Sequence, residues 1–338
     1  MNRQITPTKK FAFIIKLTQI KRELNMKRAI LLMNMGGPNN LDEVEVFLTN
    51  MFNDRNIIGA PKPIRAMIAK LITFTRTEFA QNNYALIGGK SPLVGYTQEL
   101  IEKLQEDIED ASIHMVMRYT PPFATDVLEN LRDVDEFYAI PLYPHYSSTT
   151  TLSSYEDLYD SMDKLRIKAR VKTIDDYYSD KNYNKAIIGR IKEALNGEDP
   201  QDYELVFSAH GLTEKIIDKG DPYQKHIRYN VYHARKALMK AKINFHNTHL
   251  AYQSRLGPME WIKPYLEDKL KSLKKRKVII VPIAFTLDNS ETEFELEIEY
   301  REVAEELGFQ EYRVAKAPNS HPDFVKCLTN IYKDMKAS

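Results

Sequence analysis

The stretch KVIIVPIAFTLDNSETEFELEIEY, Lys277 to Tyr300, decides how the rest of the chain is read. It opens as an apolar run, Val278 to Phe285, rich in β-branched residues and without a polar face. Such a run predicts a strand buried on both faces of a parallel sheet. Asp288, Asn289 and Ser290 follow, and any of them suits the cap of a helix, where a side-chain oxygen accepts a free N–H. Glu291, Glu295 and Glu299 then recur at i, i+4 and i+8, with Asp288 three residues ahead of the first. On a helix that spacing sets the carboxylates in one row on one face. Like charges four apart cost an isolated helix roughly 0.2–0.5 kcal/mol per pair. A solvated helix start, whose dipole tolerates acids, is the plain reading. A carboxylate track for a cation or for protons is the sharper one.

The chain has 338 residues, enough for two ordinary domains. With 43% hydrophobic and 28% charged residues it has the composition of a globular protein with a sizeable core. A net charge of +1 gives no overall field that would draw nucleic acid. One cysteine, Cys327, excludes a disulfide framework within the chain and a four-cysteine iron–sulfur cluster. No apolar run approaches the roughly 20 residues of a membrane-spanning helix. A cytoplasmic location is the expectation. Met1 to Ile30 holds eight Lys or Arg against one acid, Glu23. Lys16 interrupts its apolar patch and no small-residue cleavage site follows, unlike a secretory signal. Residues 1–25 read as a basic extension outside the fold, upstream of a second start at Met26. A mitochondrial-type presequence has similar composition.

From Arg28 onward, buried-strand runs alternate with helical patterns. Strands are predicted at 28–34, 113–118, 136–142 and 170–174. A second set is predicted at 204–208, 249–253, 277–284 and 312–316. The alternation predicts an α/β fold with two Rossmann-like domains, each a roughly four-stranded parallel sheet flanked by helices. The boundary is placed near residue 175, dividing 26–175 from 176–338, with the closing helix from Pro322 packing back near the junction. The unusual residues fall just after strands: Met35, Arg118, Tyr146, His210, Trp261 and Glu291. Open α/β sheets bind ligands outside the carboxyl ends of their strands. Two facing sheets would enclose a cleft with His210 and the acidic row on one wall.

His210 stands between Ala209 and Gly211, small neighbours that leave its ring uncovered at a strand end. An imidazole there can take a proton near neutral pH or bind a borderline divalent metal. No HExxH, CxxC or paired histidines mark a closed zinc site. One imidazole beside several carboxylates suits transient handling of Fe²⁺. The sequence also lacks a Walker loop, a GxGxxG turn and a GxSxG elbow, so no nucleotide is expected. Glycine turns at Gly36-Gly37 and Gly88-Gly89, with Arg76, Tyr84, Ser91 and Arg118, are suited to hold the carboxylates of a large apolar ligand. Ala60 to Thr77 mixes Lys62, Arg65, Lys70 and Arg76 with apolar residues and has no acid, the pattern of an amphipathic helix at a membrane surface or beside an acidic ligand, and equally of an ordinary surface helix.

Several motifs then carry a resemblance: FSAHGL with GDPY (Phe207–Leu212, Gly220–Tyr223), GPMEW (Gly257–Trp261) and PIAFTLDNSETEFELEIEY (Pro282–Tyr300). NMGGP (Asn34–Pro38), IGGKSP (Ile87–Pro92) and YPHYSSTT (Tyr143–Thr150) support them. In this order, from Arg28 to the C-terminus, the chain resembles the ferrochelatases, which insert ferrous iron into a porphyrin to make haem. The resemblance implies two chelatase-type domains around a porphyrin cleft. It makes His210 and Glu291 the catalytic, iron-handling pair, with Asp288, Glu295 and Glu299 as a proton or metal path. It places Met35, Arg76, Tyr84, Ser91, Arg118, Tyr146 and Trp261 against the porphyrin, and helix 62–76 at the lip of the cleft. The substrates implied are protoporphyrin IX and Fe²⁺, with no resident cofactor or cluster, and peripheral contact with the inner membrane. Two departures stand out: Asn289 replaces the family's usual histidine, and the cysteines of the cluster-bearing members are missing. The NMGGP turn resembles the protoporphyrin-using branch. Alternatives are a coproporphyrin ferrochelatase, a cobalt-inserting chelatase and a porphyrin or haem carrier.

Overall fold

A computed structural model describes residues 26–338; the basic extension expected over 1–25 lies outside them. Strands β1 (Arg28–Asn34), β2 (Ser112–Met117), β3 (Glu136–Pro141) and β4 (Arg170–Thr173) form one parallel sheet in the order β2-β1-β3-β4. Strands β5 (Glu204–His210), β6 (Asn247–Gln253), β7 (Lys277–Pro282) and β8 (Glu311–Val314) form a second in the order β6-β5-β7-β8. The two halves repeat one winding, as the alternation of strands and helices predicted.

The inner strands β1, β3, β5 and β7 are largely apolar because both faces of each sheet are covered there, whereas the edge strands β2, β4, β6 and β8 carry polar, partly exposed residues. Strand side chains point alternately to opposite faces. In β1, Ile30 and Leu32 enter the central core while Ala29, Leu31 and Met33 face an outer layer. In β7, Ile279 and Val281 point to the central core and Val278 and Ile280 to another outer layer. The central core is shared by the two sheets. Helices Lys181–Leu195 and Pro322–Ala337 lie within it through Ile187, Ile191, Phe324 and Leu328. The first of these starts at Asp180, whose carboxylate accepts the N–H groups of Asn182 and Tyr183 at 2.7 and 2.9 Å. The closing helix returns to the first sheet, where Lys172 Nζ donates to the carbonyl of Met335 at 2.8 Å.

Each sheet reverses direction of winding at its second strand in the order, between β1 and β3 and between β5 and β7. These switch points open crevices beyond the carboxyl ends of the strands. His210 ends β5, and the acidic segment follows β7.

Phe207 is fully buried in the shared core. Phe207→Ala is expected to cost about 3–5 kcal/mol, read from urea unfolding. Phe74→Ala, on an exposed helix face, is expected to stay within about 0.5 kcal/mol of the parent.

Candidate active site

Between the sheets lies a cleft of about 1700 Å³. Small-molecule pockets usually hold roughly 300–1,000 Å³, so this one suits a large ligand. A smaller hollow of about 350 Å³ beside Arg301 and Arg313 contains none of the expected site residues.

His210 Nδ1 and Glu291 Oε2 meet at 2.8 Å inside the cleft. Adjacency of β5 and β7 makes the meeting possible. The Tyr223 hydroxyl donates to the His210 carbonyl at 2.9 Å and holds the strand end in place. Gly211 is required by close approach: a Cβ there would stand 2.9 Å from the Gln253 carbonyl and 3.3 Å from the Trp261 ring. On the other side, Asn289 caps the acidic segment. Its Oδ1 accepts the N–H of Glu291 at 2.8 Å and that of Thr292 at 3.4 Å. Burial pulls the His210 imidazole down, but the charge and hydrogen bond of Glu291, with Glu295 behind, outweigh it and raise its pKa to about 8.

The acidic segment differs from the expected α-helix. Glu291–Glu299 is a π-helix, and α-helical geometry begins only at Tyr300–Glu306. π-Helical turns close i→i+5 and occur preferentially at functional sites. The wider turn keeps Glu291, Glu295 and Glu299 on the cleft wall. Glu295 Oε2 accepts from Gln253 Nε2 at 2.9 Å and from the Ser254 hydroxyl at 2.6 Å. Burial and the nearby Glu291 charge raise the Glu295 pKa to about 7 against those two donors. Among the described residues no group of three or more His, Cys, Asp or Glu is arranged to hold a metal ion.

Met35, Arg76, Tyr84, Ser91, Tyr146 and Trp261 all line the cleft. Tyr84 belongs to the last turn of a 25-residue helix, Lys62–Leu86, longer than the sequence pattern suggested. Its hydroxyl donates to Ser290 Oγ at 3.1 Å and ties that helix to the acidic segment.

Two expected residues are elsewhere. Asp288 is buried outside the row, and its carboxylate accepts from the Ala317 N–H at 3.0 Å and from Asn319 Nδ2 at 2.7 Å. Those donors make it an anchor between loops, not a member of the cleft path. Arg118 lies behind the wall. Its guanidinium bridges Asp54 at 3.3 Å and Asp157 at 3.4 Å and donates to Ser153 Oγ at 3.1 Å. Asp54 is 4% exposed, and a buried carboxylate of that kind needs a cation. Sequence reading also passed over Tyr223, Gln253 and Ser254. Only Tyr223 stood in a recognised motif; Gln253 ends β6 and Ser254 follows it, with no signal of their own.

The ferrochelatase family profile matches residues 27–336. A ferrochelatase of Sulfurimonas denitrificans is 53% identical over 92% of this chain and 99% of its own length. One from Nitratiruptor is 50% identical over 91% and 100%, and one from Helicobacter pylori 41% identical over 92% and 94%. The chain belongs to the ferrochelatase family. Its reaction is the insertion of iron into a porphyrin for haem synthesis. The chelatase fold extends further: SirB of Bacillus subtilis, solved with Fe³⁺, superposes with a TM-score of 0.53 at 13% identity, covering 92% of this chain and 96% of that one. That likeness is one of fold.

In this ferrochelatase an NMR titration of His210 is expected to give a midpoint of about 8. Glu291→Gln removes the charge that raises it, so the midpoint is expected to move down. The sign for stability follows: the His210–Glu291 pair stabilises the fold fully below the ordinary imidazole range and stops doing so as pH rises through about 8.

Proposed function

We propose that this enzyme inserts Fe²⁺ into protoporphyrin IX, with His210 as the pyrrole-proton acceptor and Glu291 steering the metal. The carrying observation is the 2.8 Å contact between the two inside the cleft. In the neutral imidazole, Nδ1–H donates to Glu291, which leaves the Nε2 lone pair for a pyrrole N–H. The imidazolium formed is stabilised by the carboxylate it already touches. A flat macrocycle hides its nitrogen lone pairs from a metal above the plane. The apolar walls would hold it buckled, at roughly 1–5 kcal/mol drawn from binding elsewhere on the ring. Fe²⁺ enters and two protons leave, so charge balances. Glu295 and Glu299 carry the protons outward. Asn289 acts as a cap and needs no proton of its own in this scheme. Arg76, exposed on the cleft wall, takes a propionate. Iron is a substrate, and the reading calls for no resident cofactor or cluster.

The porphyrin is exchanged at a bilayer, at the cytoplasmic face of the inner membrane. Ile64, Met67, Leu71 and Phe74 on helix Lys62–Leu86 are 49%, 67%, 64% and 86% exposed. Burying such a side chain stabilises by roughly 1.5–3 kcal/mol each. Exposed Lys62 and Lys70 beside them suit anionic headgroups. Among the described residues no helix is long and apolar enough to cross a membrane, so contact would be peripheral.

Anaerobic incubation with Fe²⁺ and protoporphyrin, followed by absorption, tests the assignment; coproporphyrin and cobalt arms read the specificity. His210→Ala is expected to lose on the order of 10²-fold or more in kcat while porphyrin still binds, and full activity would remove the acceptor role. Glu291→Gln is expected to raise the KM for iron. The wild type is expected to sediment with phosphatidylserine vesicles at low salt and Phe74→Glu to sediment less; absence of wild-type binding would refute the membrane contact.

A further inference from the structure

Among the described residues, Glu295 is the acid of the row that receives two hydrogen bonds, both on Oε2. Their origin lies in the strand that carries His210. β5 and β6 run in register with His210 opposite Gln253. Ser208, two residues before His210 and therefore on the same face of β5, donates its hydroxyl to Gln253 Oε1 at 2.7 Å. That bond sets the orientation of the amide, because a hydroxyl donating to Oε1 turns Nε2 toward Glu295. Ser208 is 0% and Gln253 1% exposed, so both must be satisfied within the protein. Glu295 Oε1 accepts no hydrogen bond among the described residues.

We propose that Ser208, Gln253 and Ser254 are positioning residues for iron insertion: they clamp Glu295 Oε2 and present Oε1 to receive protons passed on from His210 and Glu291. This rests on the proton path of the preceding subsection. In each transfer the pyrrole N–H bond breaks and its electron pair stays on the nitrogen that takes the iron. The proton passes through the His210–Glu291 pair and forms an O–H bond at Glu295 Oε1, before leaving toward Glu299 and solvent. A carboxylate with one oxygen doubly engaged has one remaining basic atom and one orientation. The strand that aims the imidazole thus also aims the next acceptor.

The test compares kcat, the KM for Fe²⁺ and porphyrin affinity by fluorescence quenching. The Ser208→Ala, Gln253→Met pair removes both buried partners together, which leaves no orphaned polar group. Combined with Ser254→Ala it is expected to lower kcat about tenfold while porphyrin affinity is unchanged. In the otherwise native enzyme, Ser254→Ala is expected to lower kcat, and Ser254→Asn, which keeps a donor and suits the left-handed backbone of φ 66° at this position, to hold it near the parent value. A triple variant with native kcat overturns the clamp if Glu295→Gln is impaired, and the proton path then stands without it. If Glu295→Gln is itself fully active, the path fails and the clamp with it. Porphyrin affinity that falls in step with kcat marks a merely structural role and also overturns the proposal.

Discussion

The 2.8 Å contact of His210 with Glu291 depends on most of the architecture around it. A hydrogen bond between an imidazole and an ionised carboxylate is stronger than a neutral one, and it sets both the ring orientation and its proton affinity. It requires two strands distant in sequence to lie side by side, which β5 and β7 do at their sheet's switch point. A third strand must end beside them without a side chain between, which Gly211 allows. The acidic segment must also begin at the right height, and Asn289 sets that by capping Glu291. Backbone placement and side-chain chemistry are therefore one constraint here.

The scaffold that meets it is uniform where the cleft is not. Regular parallel strands and one shared apolar core occupy the interior. Both π-helices, Ser148–Leu152 and Glu291–Glu299, lie on the cleft's border. The first is held by Asp221, which accepts from the Ser147 hydroxyl at 3.0 Å and from the Ser148 N–H and hydroxyl at 2.7 Å each. Asp221 belongs to the GDPY motif of the other half, so two motifs read separately along the chain are one joint in space. Tyr84 and Ser290 make a similar joint at the opposite wall. Both π-helical departures among the described residues thus border the cleft and are braced from both halves.

The fold was legible because buried parallel strands have a coarse signature: apolar runs, each followed by a turn. All eight strands lie where the sequence placed them, though β4 (RVKT) is polar, with ends shifted by at most two residues, as fraying ends allow. The site was legible in part. His210 and Glu291 stand beside strand ends, and a residue in that position has few places to go other than the cleft. Asp288 and Arg118 stand there too, yet each turned away. Asp288 found the Ala317 N–H and the Asn319 amide, and Arg118 found the buried carboxylate of Asp54. Their partners come from 29 and 31 residues downstream in one case and from the first helical region in the other, and no local pattern records such choices.

Sequence by itself determined the parallel α/β class with two sets of four strands, the strand ends at which chemistry collects, and the family, because these depend on local hydrophobic pattern and on strings of residues that need no partner to be read. Tertiary structure decided which polar side chains face the ligand. A buried charge goes where its hydrogen-bond and ionic partners are, and for Asp288, Arg118, Gln253 and Glu295 those partners are brought near only when the chain has folded.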